Sequence, residues 1–314
     1  MAGADVPQLE KHLATVLAPL DYTHLNQVIS TPTDENIARW VQTTTDLSSL
    51  NRVAIQSTPH QGVDIDSCGT AHVWRRYRFE AAHQLPHVPP GHKCGRMHGH
   101  GFEVIVHANT DLGSGDLSID YDHLDRIWHP FHEQLHYHCL NDIPGLENPT
   151  SELIAGWLWT KLKKTLPELS WVTVYETASC GANFDGTNFR IWKDFSLDSA
   201  VQVKASPEGA YVRRIHGHTF TLRLHLASPL DELMGWTVDF GDVKDAFNPA
   251  FKALDHHPLH EHPEISDGDT RTIGLAIFSI ATRLVPQVNR LDLYETPGCG
   301  VIVGKDLTGP TMPI

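Results

Sequence analysis

The chain contains no apolar run of the roughly 18 residues that a membrane-crossing helix needs. Its opening, MAGADVPQLEKHLATVL, lacks the charge pattern of a signal peptide. Clustered basic residues are also missing: 24 Lys and Arg stand against 38 Asp and Glu, a formal net charge of −14. A surface for phosphate backbones needs grouped Lys and Arg, so nucleic acid is excluded as a partner, as is a membrane. Cysteine is scarce and odd in number, at Cys68, Cys94, Cys139, Cys180 and Cys299, without the spacing of a disulfide framework. That pattern fits a reducing compartment, and a cytoplasmic protein is the expectation. Nothing in the composition suggests disorder, and 314 residues with 40% hydrophobic side chains allow two or more cores.

What the chain does have is concentrated in residues 79 to 100, FEAAHQLPHVPPGHKCGRMHGH. His98 and His100 are separated by one glycine and run into the alternating segment Gly101–Asn109 (GFEVIVHAN). In an extended strand both rings therefore point to the same face. His83 ends another strand-like run, Val73–His83, and antiparallel pairing of the two runs brings its imidazole to that face as a third nitrogen ligand. Three neutral imidazoles leave a tetrahedral Zn²⁺ with one open position, the arrangement of a catalytic zinc. Cys94, in a Gly-rich loop four residues before His98, is a candidate thiolate that takes a proton. A lone His-x-His is more often strand surface; here the third histidine, the cysteine and the strand context agree.

The Cys-x-x-x-His-Gly-His motif after Phe-x-Ala-Ala-His resembles the 6-pyruvoyl/6-carboxy-tetrahydropterin synthases, and the three-residue gap between Cys94 and His98 favours the carboxy type. The likeness continues through Leu140–Trp157 and Val172–Thr177, spanning about residues 73 to 193.

The remainder repeats the pattern, and repeats must be found before a fold is assigned. Ile215–Phe220 (IHGHTF) answers Met97–Phe102, Val238–Lys244 answers Ile119–Asp125, Leu254–His260 answers Leu135–Asn141, and Leu293–Thr296 answers Val174–Thr177. A third, partial copy opens the chain: Leu20–Asn26 and Pro32–Trp40 resemble the middle of the domain, and Asn51–Gly62 parallels Asn289–Gly300. It lacks the metal-bearing hairpin. The expected domains are 1–69, the partial unit; 70–193, the metal-bearing domain; and 194–314, the second domain with a C-terminal tail.

Each full copy reads as two strands, two helices and two strands. In the central one, Thr150 caps a helix carrying Leu153, Ile154, Trp157, Leu158, Leu162 and Leu166, Val172–Thr177 is a strand, and Asn188–Asp194 is its partner. The fold class is α+β, with antiparallel sheet and helices on one face. The resemblance implies tandem tunnelling-fold units, each a four-stranded sheet with two helices, closing side by side into a barrel. It also implies a homo-oligomer, a dimer of pseudo-trimers. The missing hairpin leaves sheet edges to be covered by a partner chain or the C-terminal tail.

The copies differ where the resemblance places chemistry. The family's Asp-His proton-transfer pair survives as Asp255 and His256 in the C-terminal copy, whereas the central copy has His136 and Tyr137 and the N-terminal piece has Asp21 and Tyr22. The C-terminal copy carries Ser199 where the first metal histidine is expected and Val212 in place of Cys94. Each full copy lacks what the other keeps, so a composite site is expected, with metal and Cys94 from one and Asp255 and His256 from the other. The implied substrate is 7,8-dihydroneopterin triphosphate, cleaved to 6-carboxy-tetrahydropterin, acetaldehyde and triphosphate on the way to queuosine and other deazapurines. Glu176 or Glu295 is expected to anchor the pterin, since a carboxylate accepts two hydrogen bonds from its amino-pyrimidine edge. Thr150 and Thr270 are further substrate-binding candidates, with helix capping as their plainer explanation. Of His256, His257, His260 and His262, a solvated Pro-rich loop accounts for all but the first.

Overall fold

The computed structural model describes residues 6–47, 49–111, 119–231, 234–305, 307, 309 and 310. Residues 306, 308 and 311–314 of the tail, one of the two candidates for covering the open edges, lie outside them. The chain divides into two compact units, residues 7–176 with 183–187, and residues 177–182 with 188–314 and the N-terminal end.

The first unit runs α1 (Val6–Leu17), α2 (Asp34–Thr45), β1 (Arg52–Thr58), β2 (Gln61–Asp66), β3 (Thr70–His83), β4 (His98–Asp111), α3 (Tyr121–Leu135), β5 (His138–Cys139), α4 (Ser151–Leu162) and β6 (Leu169–Thr177). It takes in the end of β7 (Cys180–Phe184). Strands β1, β2, β3, β4 and β6 pair antiparallel in that order, and β5 adds a short parallel bridge to β3. Alternation in β3 sends Phe79, Ala81 and His83 inward, where they meet Phe102 and Val104 of β4. Helices α3 and α4 cover this face with Leu124, Trp128, Leu135, Ile154, Leu158 and Leu162. Each of α2, α3 and α4 starts where a polar side chain takes up a free amide: Thr33 from Asn36, Asp120 from Asp122, Thr150 from Leu153.

The second unit runs β8 (Phe189–Val201), β9 (His216–Ala227), α5 (Phe240–Leu254), α6 (Thr270–Leu284), β10 (Val288–Thr296) and β11 (Cys299–Gly304), its strands antiparallel in the order β8, β9, β10, β11. Asp239 and Asp269 cap the two helices, and Leu222, Leu224, Phe247, Ile273, Ile277 and Leu291 form the core.

The fold is α+β with antiparallel sheet, but the sheet is not closed: β1 has only β2 as neighbour and β11 only β10 among the described residues. The barrel implied by the resemblance is one of units side by side, and the four or five twisted strands of either unit do not close on themselves. The expected partner of β6 also changes. Its neighbours are β4 and β7, while residues 189–201 form β8 and pair with β9. Strand β7, CGANF, is five residues long and buried at its first four positions, so it carries no alternation to announce it.

Candidate active site

The β3–β4 ladder sets His83 directly opposite His98 and Ala81 opposite His100. All three imidazoles therefore lie on the inward face at one end of the hairpin, their ring centroids 4.4, 5.2 and 5.0 Å apart. One ligand atom from each of His83, His98, His100 and Glu176 lies within 4.8 Å of the others. Two tautomers are fixed by the backbone. His83 Nδ1 donates to Pro149 O at 2.9 Å and His98 Nδ1 to Arg96 O at 2.8 Å, which leaves each Nε2 as a bare lone pair. His83 Nε2 and His100 Nε2 are buried without a hydrogen-bond partner. Burial pushes the His83 and His100 imidazoles below the ordinary histidine range, with the Glu176 charge opposing it, so both rings stay neutral. Neutral rings, carbonyl-oriented Nδ1 atoms and buried lone pairs fit a metal such as zinc.

Glu176 is the neighbour that spacing did not reveal as a possible fourth ligand. Its Oε2 accepts from Ser151 Oγ at 2.7 Å and its Oε1 lies 3.4 Å from His100 Nε2. The only sequence signal was its place at the end of the β6 strand, opposite the His-Gly-His strand. Thr150 caps α4 through Leu153 N, as helix chemistry alone requires. Thr270 is not a cap, because Asp269 fills that place; its Oγ1 donates to Glu295 Oε1 instead. Thr270 thus corresponds to Ser151, and Thr150 to Asp269. In the N-terminal piece the same link is inverted: the helix supplies the carboxylate Asp34 and the strand the hydroxyl Ser57, 2.7 Å apart.

Cys94 is half-buried in the loop between β3 and β4, in a one-turn 3₁₀ segment, Lys93–Gly95. An open cleft of about 530 Å³ adjoins the hairpin end, lined by Glu80, Gly99, His100, Tyr137, His138 and Cys139 among others. Tyr137, with φ 58°, occupies a left-handed position just after α3. His256 (φ 59°) follows α5 in the same way, and Tyr22 (φ 48°) has the same left-handed backbone in the turn beyond Leu17, where α1 ends. Tyr137 N donates to Glu80 O and His256 N to Asp198 O, both at 2.7 Å, which confirms that the two positions correspond.

In the second unit Asp255 Oδ2 accepts from His256 Nδ1 at 2.9 Å, leaving Nε2 on a ring that is 75% exposed. The Asp255 carboxylate raises the His256 pKa. Burial works upward on Asp255, but the His256 ring and the Asp198 amide outweigh it and hold the carboxyl below its usual value. One expectation is corrected by register: Val201 faces His216 as His83 faces His98, while Ser199 faces His218 and corresponds to Ala81. The residue at the first metal position is therefore Val201, and a hydrocarbon there leaves His216 and His218 without a third imidazole. His260, expected in a solvated loop, is buried at 8% exposure.

The profile of the 6-pyruvoyl tetrahydropterin synthase family matches the chain twice, over residues 72–187 and 190–306. The 6-carboxy-5,6,7,8-tetrahydropterin synthase of Synechocystis sp. is 39% identical over 122 residues, 36% of this chain and 91% of that relative. Among solved structures, the Caenorhabditis elegans 6-pyruvoyl tetrahydropterin synthase is 22% identical, with a TM-score of 0.33 over 35% of this chain and 90% of that one. No helix among the described residues is long and apolar enough to cross a membrane.

Proposed function

Because the chain belongs to the 6-pyruvoyl tetrahydropterin synthase family, whose profile it matches in two tandem copies, we propose that it is a zinc-dependent carbon–carbon lyase acting on a dihydropterin. The substrate is 7,8-dihydroneopterin triphosphate, which together with one water gives 6-carboxy-tetrahydropterin, acetaldehyde and triphosphate, a step toward queuosine and related deazapurines. The carboxy type is favoured by the Cys94-x-x-x-His98 spacing and by the name of the Synechocystis relative. The observation that carries the reading is the group of three inward imidazoles with two Nδ1 atoms committed to backbone carbonyls.

His83, His98 and His100 hold the metal. Zinc bound there would polarise the side-chain oxygens of the substrate and stabilise charge developing on them. Cys94 takes a proton as thiolate. Asp255 fixes the His256 ring through Nδ1, so that the exposed Nε2 exchanges protons with the reacting carbons. The complementary losses of the two copies support assigning these groups to one reaction. Glu176 anchors the pterin edge, oriented by Ser151; Glu295, held by Thr270, is the same device in the other copy. Thr150 serves the helix rather than the ligand. The domains are residues 1–69, 70–193 and 194–314, and the working form is a cytoplasmic homo-oligomer, a dimer of pseudo-trimers.

The test is product formation from 7,8-dihydroneopterin triphosphate by zinc-loaded protein, comparing wild type with Cys94→Ala and His256→Ala. Formation of 6-carboxy-tetrahydropterin by wild type, abolished in both variants, supports the reading. A 6-pyruvoyl product reassigns the type. An inert wild type leaves a non-catalytic pterin-binding paralogue, which the presence of Tyr137 at the dyad position of the metal-bearing copy would then explain.

A further inference from the structure

The two copies of the β3–β4 loop provide an internal control on one histidine. In the central copy, His92 N donates to Pro89 O, Gly95 N to His92 O, Arg96 N to Lys93 O, and Leu85 N to Cys94 O. The C-terminal copy repeats every one of these bonds, at Ala210 to Pro207, Arg213 to Ala210, Arg214 to Tyr211, and Val203 to Val212. Backbone angles at the head of the turn agree as well, φ −62° and ψ 136° at His92 against φ −63° and ψ 135° at Ala210. An alanine therefore suffices to build this turn. Yet His92 adds one bond that Ala210 cannot: its Nδ1 accepts the Cys94 amide at 3.2 Å. The extra bond is present in the copy with the thiol and missing in the copy where valine replaces it.

We propose that His92 is a positioning residue for Cys94: its Nδ1 lone pair pins the Cys94 amide and so fixes the backbone from which the thiol is aimed. The acceptor role puts the His92 ring proton on Nε2. With Leu85 N on the Cys94 carbonyl, both peptide groups of the cysteine are tied, and proton transfer depends on such placement to within a fraction of an ångström. This rests on the reading of Cys94 as the proton acceptor. A competing explanation is a plain loop strap: Arg213 Nη1 ties the second loop to Lys204 O and Ser206 O, and its counterpart in the first loop, Gly95, has no side chain to do so.

The experiment compares zinc-loaded wild type with His92→Ala, the residue nature uses at position 210, and with His92→Asn, whose side-chain oxygen also accepts an amide two residues on. The expected result is a kcat per zinc-loaded chain lower by roughly 10- to 100-fold in His92→Ala. KM, zinc content and melting temperature stay essentially as in wild type, and His92→Asn recovers most of the rate. An unchanged kcat per loaded chain in His92→Ala overturns the proposal in favour of the strap. So does a loss that comes with zinc release and early melting and is not rescued by asparagine. If wild type itself makes no product, the catalytic reading fails separately. The tether is then read by the rate of Cys94 alkylation with iodoacetamide, followed by peptide mass spectrometry in metal-free protein. A several-fold faster reaction in His92→Ala, restored in His92→Asn, supports it, and equal rates in all three overturn it.

Discussion

Glu176 holds one carboxylate oxygen against Ser151 Oγ and the other 3.4 Å from His100 Nε2, so it stands within reach of both a metal and a substrate. A catalytic zinc needs an open position, which three imidazoles leave and a fourth protein ligand would close. Replacing the carboxylate by an amide of the same shape separates the two roles. Glu176→Gln should keep its zinc, measured by elemental analysis of the purified protein, while KM for the dihydropterin rises about tenfold, as one lost charge-assisted hydrogen bond implies. Zinc loss would make Glu176 a ligand instead. Another single residue sets a pH limit. His107 is buried on β4, where burial first and the neighbouring His72 second push its pKa down to about 3. Its Nε2 donates to Thr173 Oγ1 at 2.9 Å, because that hydroxyl spends its own proton on Asn183. The folded value lies below the unfolded one, so the unfolded chain binds the extra proton first. Stability is therefore full above about pH 6.5 and is lost as pH falls below it. Between pH 7 and pH 5 the loss from this group is about 2 kcal/mol. Urea midpoints measured at both pH values should fall less in His107→Gln than in wild type.

At the scale of elements, the β3–β4 hairpin holds the cluster from below. Phe79 and Phe102 stack at 5.1 Å, and the Phe102 ring lies 5.4 Å from His83 and 5.5 Å from His100. Phe102→Ala should cost about 3–5 kcal/mol in chemical denaturation, the range for a fully buried phenylalanine. It should also weaken zinc binding, because the rings lose the surface that orients them; unchanged affinity would show that the carbonyl contacts alone hold them. This hairpin was legible in the sequence because alternation, a His-x-His pair and a strand-ending histidine all point to one face. Helix α4 was legible because its apolar spacing starts at a threonine that can cap. The two-residue error between Ser199 and Val201 has a different cause. A slip of two preserves which face is inward, so alternation cannot detect it, and LDSAV keeps too little of FEAAH to fix the count. The left-handed position just past α3 and α5, which recurs at Tyr22 in the turn beyond α1, was hidden for a related reason. Tyr22, Tyr137 and His256 share a backbone state that none of their side chains requires.

At the scale of the whole molecule, the duplication predicts a stoichiometry. Both copies keep the His-x-His pair and the carbonyl that orients its first ring, Arg96 O for His98 and Arg214 O for His216. They also keep the hydroxyl-to-carboxylate link at the helix start, Ser151 to Glu176 and Thr270 to Glu295. Among the groups that face the metal position, the third imidazole differs, His83 in one and Val201 in the other, each buried and each facing the first histidine of its pair. A metal at two imidazoles loses a ligand with no replacement from a valine side chain, and metal affinity falls steeply with each ligand removed. Purified protein dialysed against a weak chelator should therefore carry about one zinc per chain rather than two, if three imidazoles are the minimum for retention. His83→Val makes the first copy match the second at this one position and should bring the content close to zero, with the fold retained, since Val201 already occupies the same place between two strands. A content near two in wild type would mean that the second copy is a metal site in its own right, held either by His216 and His218 with Glu295, whose charge already acts on His218, or by Asp198, Asp255 and His256, whose ligand atoms lie within 4.8 Å of one another.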